Sequence, residues 1–356
     1  MILHDLAIDE HEFATRTGWA IKPEGACKGE VCVPLPAEAR LPDGRLDVAV
    51  VADRLGMPIV ADDAHGIWAV GPETAVTGRA LTTALAPDLE LPDAEGNMFK
   101  LSSLRGQKVV LVAWASWCGC RFDLPIWQEL RTRWHERGLE VVTVALDVEA
   151  SDAVPFIEKA KPEHPSLIDE AHVTDELFGF VNVPNGVWID EEGVIVRPSE
   201  PMHPGRNPAT ESFRKIDLST VPDDVKEMLT EARKIKSDPE ISTAMIDDWV
   251  EHGEQSKYAL SPDEVIRRSE PRTDAEATAA AEFELGQHLH RAGDHAAAIP
   301  HWREAHRLYP DNWTYKRQAW NIEDPIRQGH TDVYEGSWFE DIKKIGAENY
   351  YREIIV

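Results

Sequence analysis

The 356-residue sequence predicts an α/β central domain between an N-terminal α+β segment and an all-α C-terminal region. Three observations carry that reading. Val109-Val110-Leu111-Val112-Ala113-Trp114 is a short apolar run rich in β-branched residues, as in a strand buried on both faces of a sheet. Phe122, Leu124, Trp127, Leu130 and Trp134 then recur at the spacing of an amphipathic helix. Gly138 stops that helix, and residues 139–146 repeat the buried-strand pattern, so strand, helix and strand alternate.

Residues 1–84 hold the first two of the four cysteines. Gly25-Ala26-Cys27-Lys28-Gly29-Glu30-Val31-Cys32-Val33-Pro34 predicts a glycine-containing loop leading into a short extended segment. Leu46, Val48, Val50, Val51 and Leu55, stopped by Gly56, predict a helix. Pro58-Ile59-Val60 and Gly66-Ile67-Trp68-Ala69-Val70 predict short strands. The C-x4-C spacing of Cys27 and Cys32 suits a loop-closing disulfide, two partly buried thiols, or a relay to the second pair.

That second pair, Cys118 and Cys120, stands where the central strand runs into the helix. Unpaired N–H groups and the positive end of the helix favour a thiolate there, and Arg121 adds a cation. Trp114-Ala115-Ser116-Trp117-Cys118, then Cys120 and Pro125, resembles the active-site segment of thioredoxin-fold oxidoreductases of the TlpA/ResA kind, within the AhpC/TSA redoxin superfamily. The family pattern is W-x-x-W-C-x-x-C, and Cys118-Gly119-Cys120 is one residue short. A bond between residues two apart closes a smaller ring, which is expected to be easier to reduce. The resemblance implies a thioredoxin-like domain over 85–200. Cys118 would be the exposed attacking thiolate and Cys120 the resolving thiol, with Arg121 stabilising the thiolate and Trp114 and Trp117 walling the site. It implies a thiol or disulfide substrate, a thiol reductant as partner and no cofactor. Asp123 and Asp147 are candidate proton handlers.

The remaining elements of the central domain follow in order. Residues 88–93 and 98–101 predict a lead-in hairpin, 104–108 the turn into the central strand, and 153–161 a second helix, for a series β, β, α, β, α, β, β. Residues 181–196 resemble the family's cis-proline loop and terminal hairpin. The resemblance places Pro184 beside the cysteines and makes Val183 the residue whose backbone receives an incoming peptide or cysteine.

Residues 201–272 are polar and proline-punctuated, with helices predicted at 223–234 and 241–252. Leu285, Gly286, Leu289, Gly293, Ala298, Trp302, Ala305 and Pro310 are similar to one tetratricopeptide repeat, about 279–312. A single unit needs neighbours to bury its apolar faces. Trp313, Tyr315, Trp320, Trp338, Phe339 and Ile342 would supply them. The expected divisions are therefore 1–84, 85–200 and 201–356, with the C-terminal helices capping the central domain or contacting a second copy or a protein partner.

A net charge of −27 argues against nucleic acid and anionic membrane as partners. No basic region precedes an apolar core at the N-terminus and no apolar run approaches ~18 residues, so the cytoplasm is the expected location. In a reducing compartment two close cysteine pairs suggest redox or metal chemistry. Two other readings stand beside the reductase. Cys118 could pass through a sulfenic acid in a thiol-dependent peroxidase, or antioxidant, resolved by Cys120 or by Cys27 and Cys32. There, however, Ala115 replaces the threonine of the superfamily's peroxidases. Alternatively Cys27, Cys32, Cys118 and Cys120 could together hold zinc, copper(I) or another thiophilic ion. An adaptor with a redox-dead fold is a third class, opposed by the intact thiols. His164, His172 and His203 form no H-E-x-x-H, and hydrolase, phosphate-loop and dinucleotide signatures are absent.

Overall fold

A computed structural model describes residues 1–29, 31–74, 83–269, 272–326, 328–329 and 332–356. The chain divides into two units, Met1–Thr83 with Ser269–Tyr315, and Ala84–Arg268 with Lys316–Val356. Neither is contiguous, so the three successive segments expected from the sequence are not the units that form. Among the described residues no helix is long and apolar enough to cross a membrane.

In the first unit the strands Ile2–Leu3, Ile67–Val70 and Ile59–Asp62 form an antiparallel sheet in that order. The helix Val48–Leu55 starts where the Asp47 carboxylate accepts the N–H groups of Ala49 and Val50, and it ends at left-handed Gly56. Phe13, Trp19, Leu46, Val51, Leu55 and Val70 share one core. The helical hairpin Asp274–Arg291 and His295–Leu308 belongs to this unit. At Gly71 a Cβ would collide with the Ala277 carbonyl oxygen, so sheet and helix backbones meet at a distance only glycine permits. The likeness to a tetratricopeptide unit implies apolar faces that need cover, but not which sheet supplies it.

The first cysteine pair lies on a second antiparallel sheet, Ala20–Lys22, Gly25–Lys28 and Val31–Val33. The predicted loop is instead a hairpin, with Glu30 outside the described residues. Gly25 (φ +133°) packs where a Cβ would strike the Val33 carbonyl, and that close approach lets the two strands pair. Cys27 faces Cys32 directly across the ladder, Cα to Cα 4.1 Å.

The second unit is built on a five-stranded mixed sheet. Its order is Ser166–Ile168, Leu139–Ala145, Lys108–Trp114, Asn185–Ile189 and Ile195–Pro201. The first three strands run parallel and the last two antiparallel to their neighbours. Every residue of the central strand is buried, as its unbroken apolar run requires. The strand Ser166–Ile168 and the helix Val173–Phe178 were not anticipated, being too short to show a period. The lead-in hairpin is present as Glu90–Pro92 and Met98–Lys100.

Trp127, Leu130 and Trp134 of the helix Leu124–Trp134 pack on Val110, Val112, Val141 and Trp188 of the sheet. The helix Pro239–His252 adds Met245, Ile246 and Trp249 to the same cluster, and Trp249 stacks on Trp188 at 5.0 Å. The domain core thus extends well past residue 200.

Candidate active site

The central strand and its parallel neighbour end together, and their C-terminal ends hold the loop that carries the thiols. Leu146 donates its N–H to the Trp114 carbonyl (2.8 Å). Next to it, Asp147 accepts the Ser116 N–H (3.0 Å) and hydroxyl (2.6 Å). Burial pushes the Asp147 carboxyl up to about 6, even though both Ser116 bonds favour its anion. Arg121 fastens the same loop from the other end. Its guanidinium donates to the carbonyls of Ser116 (2.7 Å) and Cys118 (3.4 Å) and lies over the rings of Phe122 and Phe156.

Cys118 opens a 3-10 turn, Gly119–Asp123, and its sulfur accepts the Cys120 N–H at 3.3 Å. The α-helix begins only at Leu124, with Pro125 in its first turn, where a missing N–H costs little. The thiols therefore sit on a tight turn ahead of the helix rather than in its first turn. Cys118 is paired with Cys120 and Cys27 with Cys32, and no cysteine is free. Among the described residues no group of three or more His, Cys, Asp or Glu side chains is placed to hold a metal ion.

The Val183–Pro184 bond is cis, and the Val183 carbonyl oxygen lies 3.6 Å from the Cys118 sulfur. Cys118, Cys120, Arg121, Trp117 and Pro184, proposed from the sequence, thus lie in one unit around one turn and one loop. Cys27 and Cys32 belong to the other unit. His164 and His172 are buried and bonded to Pro165 and Asp175 respectively.

The expected exposure of Cys118 is not found. It is 3% exposed and Cys120 6%. Residues after 315 in the same unit bond to the groups on either side of Cys118, Trp117 and the Val183 carbonyl. The Trp117 indole N–H donates to Gln318 Oε1 (3.0 Å), and the same oxygen accepts the Val148 N–H (3.2 Å). The Trp117 carbonyl accepts from Arg317 (3.0 Å) and Gln328 (2.6 Å), and the Arg317 guanidinium lies 4.7 Å over the Trp117 ring. Arg317 also donates to the Tyr350 hydroxyl (2.9 Å), which donates to Asn182 (3.1 Å). The Tyr351 hydroxyl donates to the Val183 carbonyl (3.1 Å), beside the Cys118 sulfur. Sequence reasoning missed Arg317, Gln318, Gln328, Tyr350 and Tyr351, since partners some 200 residues apart leave no local period.

One titratable group borders these residues. Asp123 is buried, receives a hydrogen bond from Asn207 (2.7 Å), and is pushed by burial up to about 7. In the folded protein it stays neutral up to that value, whereas in the unfolded chain it ionises above about pH 4. Between those limits the folded state holds the extra proton, so rising pH favours unfolding. The stability of the wild type relative to Asp123→Asn should therefore fall as pH rises from about 4 to about 7. Paired thermal melts across that range check it; a constant difference would contradict the burial argument.

Residues 82–197 match the AhpC/TSA family model. The chain is 28% identical over 115 residues to the thiol-disulfide oxidoreductase ResA of Bacillus thuringiensis subsp. konkukian, an alignment covering 32% of this chain and 65% of that protein. It is 28% identical over 136 residues to the thioredoxin-like protein YneN of Bacillus subtilis, covering 37% of this chain and 77% of that one. Among solved structures it is similar to a thiol:disulfide interchange protein from Bacteroides sp., at 26% identity and a TM-score of 0.30, covering 34% of this chain and 81% of that chain. The chain thus spans about 65% of the length of the ResA proteins it matches. The AhpC/TSA match and the mixed sheet with its thiol turn and cis-proline loop establish a thioredoxin-like domain in the second unit.

Proposed function

We propose that this protein is a redoxin-type thiol–disulfide oxidoreductase working through Cys118 and Cys120. The observation that carries the reading is the Cys118 sulfur, 3.6 Å from the carbonyl of the cis Val183–Pro184 peptide and two residues from its partner thiol. In the dithiol form, the Cys118 thiolate attacks one sulfur of a substrate disulfide. A Cys118–substrate disulfide forms, and the other substrate half leaves as a thiolate that takes up a proton. The Cys120 thiolate then attacks the Cys118 sulfur and expels the second half. Two electrons pass from the protein dithiol to the substrate, and a thiol reductant restores the pair.

In the same reading Cys27 and Cys32 receive the oxidising equivalents from the central pair. Support comes from their direct cross-strand pairing and from Cys32, which is exposed while Cys27 is buried. The hairpin of the first unit is read as the single tetratricopeptide-like element. Oxidising the reduced protein and mapping its disulfides over time tests the relay, which requires a transient bond between one cysteine of each pair. The double variant Cys27→Ser/Cys32→Ser should lose most turnover while Cys118 still forms its first adduct. Unchanged turnover in that variant would remove the relay and leave the central chemistry standing.

A further inference from the structure

We propose that the segment after residue 315 confines this thiol centre to low-molecular-weight disulfides and thiols and excludes disulfides carried on folded proteins. The proposal rests on the oxidoreductase reading above and names its substrate class. Disulfide exchange needs the attacking sulfur to approach one substrate sulfur from the side opposite the leaving one. A disulfide on a protein surface brings backbone on both sides of that line, so it needs open space around Cys118. It also needs a place for its own chain beside the sulfur. That place is taken. The Val183 carbonyl, the acceptor adjoining the Cys118 sulfur, already accepts the Tyr351 hydroxyl.

The segment is built into the domain rather than laid over it. Tyr350 is 5% exposed, its hydroxyl bridges Arg317 and Asn182, and its carbonyl accepts from Asn182 (3.2 Å). Ile354 packs against the core cluster, and the buried Arg197 donates to the Ile355 carbonyl (2.6 Å). Trp117 is held at its indole by Gln318 and at its carbonyl by Arg317 and Gln328. Withdrawing the whole segment breaks these bonds together, and each break leaves polar groups without their partners. Admitting a small disulfide asks only for a local opening at one side chain, and local openings are far more frequent than release of a packed segment.

The test uses the full chain, with dithiothreitol as reductant and two substrates, 2-hydroxyethyl disulfide and insulin. The wild type should turn over the small disulfide at least about 100-fold faster than insulin, the equivalent of losing two buried hydrogen bonds to admit the larger substrate. Tyr351→Ala should raise the insulin-to-small-disulfide ratio at least about 10-fold, and Tyr351→Phe, which keeps the ring and loses one hydrogen bond, by less. Access is measured separately by alkylating the reduced proteins with iodoacetamide and with a polymer-tagged maleimide. Cys118 of the wild type should take the small reagent and resist the large one, and Tyr351→Ala should narrow that gap. Comparable turnover of both substrates by the wild type, or a ratio and an alkylation gap unmoved in both variants, would overturn the proposal. If the alkylation gap behaves as expected but no protein turns over either disulfide, the oxidoreductase reading is what fails.

Discussion

Replacing Cys118 with serine is expected to lower disulfide turnover by at least about 1,000-fold, because the hydroxyl that replaces the thiol does not ionise near neutral pH and is a poor nucleophile toward sulfur. Replacing Cys120 with serine should act at a different step. Its neighbour still attacks, but nothing within the turn expels the second substrate half, so a mixed disulfide on Cys118 should accumulate. Intact-protein mass spectrometry separates the cases: an added half-substrate for Cys120→Ser, none for Cys118→Ser. The assignment follows from the turn. The Cys118 sulfur faces the Val183 carbonyl and accepts the Cys120 N–H, a bond that strengthens when the sulfur carries charge. A stable adduct on Cys120 in the Cys118→Ser protein would reverse the two roles.

Trp249→Ala is expected to cost about 3–5 kcal/mol of stability and lower the melting temperature by about 10 °C. Trp249 is 1% exposed and stacks on Trp188 of the sheet, and Lys108 Nζ lies 5.7 Å from its ring centroid. Truncation leaves a cavity between sheet and helix that Met245 and Ile246 can only partly fill. On the same helix, Glu240→Ala removes only a solvent-exposed ion pair with Arg206 and should leave stability nearly unchanged. Chemical denaturation of both variants checks the contrast. A loss below about 1 kcal/mol for Trp249→Ala would mean that the helix is an attachment to the thioredoxin-like domain and not part of its core.

The sequence by itself determined the elements whose signals are local. The buried run before Cys118, the helix spacing through Trp134 and the second buried run after Gly138 became the paired parallel strands and the helix between them. Val183-Pro184, with the hairpin after it, was legible through resemblance, and the cis bond lies beside Cys118. The C-x4-C stretch was misread as a loop because two strands of three or four residues are too short to show alternation, and only pairing across the turn sets Cys27 against Cys32. Periodicity reports which face of an element is buried and is silent on what buries it. Tertiary structure alone therefore decided that the hairpin Asp274–Arg291 and His295–Leu308 joins the N-terminal sheet, with its backbone against Gly71. It also decided that Arg317, Gln318, Gln328, Tyr350 and Tyr351 bond to Trp117, Asn182 and Val183 around Cys118. The reason is the same in both cases: folding satisfies buried polar groups wherever a donor and an acceptor can meet, and such pairs, when far apart in the chain, share no local pattern.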